Sequence, residues 1–174
     1  MARRLVRASG LLRREMMKIE NSPVAKAEML IRKPVAEVFE AFVNPDITTK
    51  FWFTKSSGKL KVGQQVKWEW EMYGVSDLVN VKEIEQDKRI LIEWGSANEK
   101  PTTVEWIFTA RADKTTFVSI ANSGFLGDGD EIVEQAINSA GGFATVLASM
   151  KAFLEHNINL NLIADHSPDK IKKL

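Results

Sequence analysis

The sequence predicts an α+β domain in which a curved antiparallel sheet with an aromatic face wraps around one long C-terminal helix. Three observations carry this. Segments between Val66 and Ala121 alternate apolar and polar residues at the strand period of two. The turns between them are short, which makes successive strands antiparallel neighbours. After Asp130 the period changes, and Val133, Ala136, Ile137, Ala140, Phe143, Ala144, Leu147, Met150 and Leu154 recur at helical spacing.

Taken in order, Val24 to Arg32 reads as a first strand. Pro34 to Val43 follows as a helix, with Val35, Val38, Phe39 and Phe42 on one face and Pro34 in its first turn. Asn44-Pro45 ends that helix, because the residue before proline is pushed out of the α region. Asp46 is then placed to cap a second short helix through Lys50.

Val66 to Met72 alternates strictly, with Val66, Trp68, Trp70 and Met72 against Lys67, Glu69 and Glu71. Gly74 marks a turn or bulge. Ser76 to Ile84 puts Leu78, Asn80, Lys82 and Ile84 opposite Asp77, Val79, Val81 and Glu83. Ile90, Ile92 and Trp94 share one face of the next strand; Val104, Trp106 and Phe108 share one face of the strand after that. Thr115 to Ala121 completes the series. Glu69, Glu71, Glu93 and Glu105 fall on the outward parity and read as a solvated sheet face.

Asp128 or Asp130 is placed to cap the long helix. Gly141-Gly142 interrupts its pattern, and each glycine in a helix interior costs about 1 kcal/mol against alanine. Close approach to the sheet, a kink or room for a ligand would each account for the pair. The tail beyond Asn157 reads as loosely packed. Strand, two short helices, antiparallel strands and a long helix is the order of a helix-grip fold.

Composition narrows function mainly by exclusion. The 174 residues fit one domain with a core of its own. There is no cysteine, so disulfides, thiolate catalysis and cysteine metal sites are out, and a cytoplasmic location suits the chain. A net charge of +1 gives no footprint for nucleic acid, and no apolar run is long enough to span a bilayer. His156 and His166, the two histidines, are not spaced with carboxylates as a metal set. Gly124 to Gly129 lacks the Gly-Lys-Ser/Thr ending of a phosphate loop. No catalytic set, metal site or cofactor is expected. Residues 1–22 form a basic extension; from Met1 to Lys18, Arg3, Arg4, Arg7, Arg13, Arg14 and Lys18 stand against one acid, Glu15. It reads as a targeting arm, an arm for an anionic partner, or an incidental extension.

Specific residues sharpen the fold. Ala27-Glu28 through Ile31, with Pro34-Val-Ala-Glu-Val-Phe-Glu-Ala-Phe42, resembles the opening of the START and pollen-allergen-like superfamily. Arg89-Ile-Leu-Ile-Glu-Trp94, Thr115 through Phe125, and Gly142-Phe143 leading to Leu147, Lys151, Phe153, Leu154 and Glu155 are similar to the branch named for activators of the heat-shock-protein-90 ATPase. The resemblance covers about Val24 to His156. It departs at Phe143, where the branch often has tryptophan, and at Asn122, where it often has histidine. It implies a START-like domain over residues 23–160 with a tail over 161–174, and a cavity between sheet and helix.

The expected function is binding of an apolar small molecule or lipid in that cavity, by a monomer or homodimer. The resemblance also leaves open a chaperone co-regulator and a polyketide cyclase- or dehydratase-like enzyme. Trp52, Trp68, Trp70, Trp94, Trp106, Phe108, Phe143 and Leu147 are candidates to line the cavity. Tyr73, Asn80 and Asn122 are the polar candidates. For the aromatic rows the alternative is a filled core. Phe51-Trp52-Phe53 is expected at the cavity's mouth with at least one ring partly exposed, as a gate or partner contact; the alternative is a plug closing the core.

Overall fold

A computed structural model describes residues 21–96 and 100–171. The basic extension, apart from residues 21 and 22, lies outside the described residues. Among the described residues the order is β1 (Ala25–Ile31), α1 (Val35–Val43), α2 (Pro45–Thr48), β2 (Lys55–Ser56), β3 (Gln65–Trp70), β4 (Val75–Glu85), β5 (Arg89–Gly95), β6 (Thr102–Ala110), β7 (Thr116–Ser123), α3 (Gly129–His156) and α4 (Leu162–Asp165), then a 3₁₀ turn (Pro168–Lys170). The strands form one antiparallel sheet in the order β1-β7-β6-β5-β4-β3-β2. β1, first in sequence, closes the edge beside β7, and α3 packs across it. This is the predicted helix-grip architecture.

Local chemistry explains most boundaries. Pro34 sits at the N-cap of α1 rather than inside it, and the Asn44 N–H closes the helix on the Glu40 carbonyl. The cap of α2 is Asn44, not Asp46: its Oδ1 accepts the Asp46 N–H at 3.2 Å, with Pro45 at the first helical position. Asp128 and Glu131 form a reciprocal capping box at the start of α3.

β4 departs from simple alternation. A bulge between Val81 and Glu83 shifts its register against β5, and Val79 and Val81 are the buried pair. Asn80, assigned to the cavity by parity, therefore points away from it. Its side chain bonds Gln65 Nε2 at 2.9 Å on the outer face. There the acidic residues of the strands pair with cations, as in Lys82–Glu93 and the Arg89–Glu105 and Arg89–Glu83 pairs. Exposed pairs of this kind contribute little stability.

The core lies between the sheet, α1 and the second half of α3. Phe53 stacks on Trp68 with centroids 4.7 Å apart, and Phe39 meets Phe108 edge-on at 5.3 Å. Phe51, Trp52 and Phe53 are all buried, which corrects the expectation of an exposed ring there and agrees with the other reading, a plug closing the core. The rule that neighbours cannot all point inward holds for a regular strand. Residues 51–53 lie in an irregular turn after α2, where successive side chains are free to converge.

The C-terminal end of α3 is clamped to β1. The Glu155 carboxylate, almost buried, accepts the Arg32 N–H at 2.7 Å and Lys151 Nζ at 2.6 Å, and Lys151 also donates to the Leu30 carbonyl at 2.7 Å. Burial alone would raise the Glu155 pKa, but these hydrogen bonds and cations outweigh it and hold the carboxyl below the usual range. A depressed carboxyl stabilises the fold above its unfolded pKa, and that contribution is lost as pH falls through the folded value. Glu155→Gln is expected to lower stability at neutral pH by about 1.5–3 kcal/mol in urea titrations. The gap to the wild type should close as the pH drops through the carboxylate range.

Candidate ligand-binding site

The long helix has two unlike halves. In the second, Phe143, Val146, Leu147 and Met150 are buried against the sheet. In the first, Ala136 with Ile132 and Ala140 packs against Ala25 and Phe125 in a small separate cluster. Val133 and Ile137, expected on the buried face, are exposed, Ile137 by 66%. The stripe Gln135, Asn138, Ser139 and Gly142 recurs at helical spacing and faces a space, not a packed surface. A helix with short polar groups and a glycine on that face cannot fill the gap to the sheet.

The gap is a cavity of about 560 Å³. Its aromatic wall is Trp52, Trp70, Trp94 and Phe143; Val75, Asp77, Thr102 and Asn122 contribute from the strands, and Phe125 from the loop before α3. Gln135, Asn138 and Gly142 are exposed, so it opens along the first half of α3. Ile163, His166 and Ser167 form a further side.

The glycine pair has a reason in this setting. α3 runs through it as one helix, and a Cβ at either position would meet no atom within 4 Å outside the helix's own backbone. Close approach to the sheet is therefore not the cause. At Gly142 the missing side chain is cavity volume.

The sequence candidates separate into two groups. Trp52, Trp70, Tyr73, Trp94, Asn122 and Phe143 line the cavity. Trp68, Trp106, Phe108 and Leu147 are buried in the core beneath it, and Asn80 is on the outer face. Trp52 joins the two regions: its ring lies 4.9 Å from Trp68, 6.3 Å from Trp70, 6.1 Å from Trp94, 6.4 Å from Trp106 and 6.0 Å from Phe143.

Tyr73 has a different job from the one expected. Its ring lines the cavity, but its hydroxyl donates to the Ile163 and Ala164 carbonyls, the latter at 2.9 Å. A helix as short as α4 leaves its last carbonyls without intrahelical partners, and the phenol supplies one. Ile163 packs against the main core. Residues 162–167 thus fold back over the cavity instead of trailing from the domain. The available signal in the sequence was the apolar residues Ile158, Leu160, Leu162 and Ile163 set among asparagines at the start of the tail.

Polar atoms in the wall are unevenly satisfied. Asn122 is 1% exposed; its Nδ2 donates to Thr102 Oγ1 at 3.2 Å, while its Oδ1 is buried with no partner. Ser139 Oγ is likewise buried and unpartnered. Trp106 Nε1 is a third such atom, but it belongs to the core. Among the described residues no cluster of three or more His, Cys, Asp or Glu side chains is placed to hold a metal, and no helix is long and apolar enough to cross a membrane.

The architecture is that of a helix-grip domain, with the pocket lying between sheet and helix. The family model described as activator of Hsp90 ATPase homolog 1-like protein matches residues 32–155, and the chain belongs to that family. No curated protein matches the chain by sequence. Among solved structures, a protein from Staphylococcus saprophyticus is 24% identical with a TM-score of 0.67, over 79% of this chain and 96% of its own. The Aha1 dimer from Colwellia psychrerythraea is 18% identical with a TM-score of 0.67, over 77% and 97%. DynU16, a protein in the dynemicin biosynthetic locus, is 19% identical with a TM-score of 0.68, over 78% of this chain and 48% of its own. At these identities the likeness is one of fold.

Tyr73→Phe removes the capping proton and keeps the ring. Amide hydrogen exchange at Asp165 and His166, whose N–H groups bond the Asn161 and Leu162 carbonyls, is expected to speed up several-fold. Exchange across β5 to β7 should be unchanged.

Proposed function

We propose that this protein binds an apolar small molecule between α3 and the sheet. The carrying observation is the aromatic-walled space left by the polar and glycine face of α3. Its volume falls within the range of about 300–1,000 Å³ common for small-molecule sites. Its walls offer ring faces and edges, which suit a flat or polycyclic apolar body. Binding would remove apolar surface from water at roughly 25 cal/mol per Å² before the costs of ordering. The ionisable residues of the wall, apart from Tyr73, are Asp77 and His166, and His166 is exposed. Chaperone regulation, which the family name suggests, would act through a protein surface; the cavity favours the small-molecule reading.

Two glycine variants test this. Gly142→Leu is expected to occupy the cavity and weaken binding of an apolar fluorescent probe at least tenfold. Gly141→Ala should raise stability by about 1 kcal/mol through helix propensity and leave probe affinity unchanged. Native mass spectrometry of the protein purified from its own cells should show a bound species in the wild type and not in Gly142→Leu. No bound species and no probe binding by the wild type would remove the proposal.

A further inference from the structure

We infer that the ligand is neutral and carries a hydroxyl group, which donates to Asn122 Oδ1 and shares a hydrogen bond with Ser139 Oγ. This rests on the cavity being a ligand site and goes further by assigning the chemistry of the ligand's polar end. Asn122 sits in the sheet's interior, paired in register with Ala25 on β1 and Val104 on β6. Its amide is oriented from one side by Thr102, so the remaining oxygen is left as a buried acceptor at the cavity wall. A buried acceptor without a donor costs about 1–3 kcal/mol, so a group that supplies the donor is selected over one that does not.

The chemistry of the two atoms restricts the choice. A carboxamide oxygen only accepts, so the ligand must donate; ketones and ethers cannot. A serine hydroxyl both donates and accepts, so it can complete the bonding of a group that does both. An alcohol or phenol meets both conditions. A carboxylate fits less well: no lysine or arginine lines the cavity, Asp77 adds a carboxylate of its own to the wall, and His166, the one side chain there that can become a cation, is exposed to solvent. Any water bound at Asn122 would be replaced without loss only by a group that reproduces its hydrogen bonds.

Four probes of one shape test this by calorimetry or competition: naphthalene, 2-naphthol, 2-methoxynaphthalene and 2-naphthoate. The expected order has 2-naphthol tightest, about tenfold ahead of naphthalene and 2-methoxynaphthalene, in keeping with one net hydrogen bond. Naphthoate should be weakest. In Asn122→Leu the advantage of naphthol over naphthalene is expected to vanish while naphthalene still binds. Ser139→Ala, at a half-buried helix position that tolerates alanine, should reduce that advantage without removing it, which keeps a test in hand if the Asn122 variant does not fold.

Naphthalene and 2-naphthol binding equally tightly to the wild type would overturn the inference and leave the cavity reading standing. So would naphthoate binding as tightly as naphthol. 2-Methoxynaphthalene matching naphthol would also overturn it, since that result would put the amide nitrogen of Asn122, not its oxygen, towards the ligand. None of the four binding would remove the cavity reading and this inference together.

Discussion

The placement of the Trp52 ring is the constraint on which the other features depend. It wedges between β3, β5 and β6 on one side and Phe143 of α3 on the other. Below it Trp68, Trp106, Phe53 and Phe42 close into a filled aromatic core. Above it the stripe Gln135, Asn138, Ser139 and Gly142 of α3 faces the gap, while the other side of the helix packs on Ala25 of β1. A smaller residue there would leave core and chamber continuous, so the ring acts as the chamber's floor as well as a packing element. Aromatic contacts of this kind contribute beyond their burial, because edge-on and offset geometries bring positive ring edges against negative faces.

The division of α3 follows from the same arrangement. Its second half supplies the apolar residues that complete the core, and Glu155 with Lys151 ties its end to β1. That anchoring lets the first half stand off the sheet, held by the small cluster of Ala25, Phe125 and Ala136. A helix packed along its whole length would leave no chamber. One fixed at both ends with a polar and glycine stripe between leaves a chamber of defined depth. Tyr73 then holds the returning chain across one side of it.

Much of this was legible in the sequence, for identifiable reasons. Strict alternation on β3, β6 and β7 gave the inward residues directly, because a strand with one buried face has a two-residue period and no freedom of phase. The order of elements, together with the family resemblance, gave the helix-grip architecture. Three things were hidden. The bulge in β4 reverses parity part-way along the strand, which is why Asn80 was assigned to the wrong face. Residues 51–53 converge inward because their backbone is irregular, and irregular backbone has no period to read. The polar stripe of α3 was the third: room for a ligand was one of three readings of the glycine pair, but Val133 and Ile137 were placed on the buried face, and only the spacing to the sheet shows which face of the first half looks into the gap. Parity assigns a residue to a face; it does not tell a filled face from an empty one, and so Trp68 and Trp106 could not be separated from Trp70 and Trp94.

That separation is the point to test most directly. Fluorine NMR of 5-fluorotryptophan-labelled protein, with resonances assigned by single Trp→Phe variants, reports on all five rings at once. Titration with 2-naphthol is expected to shift Trp52, Trp70 and Trp94 and to leave Trp68 and Trp106 in place. Equal shifts at all five, or shifts confined to Trp68 and Trp106, would contradict a packed core beneath a ligand chamber.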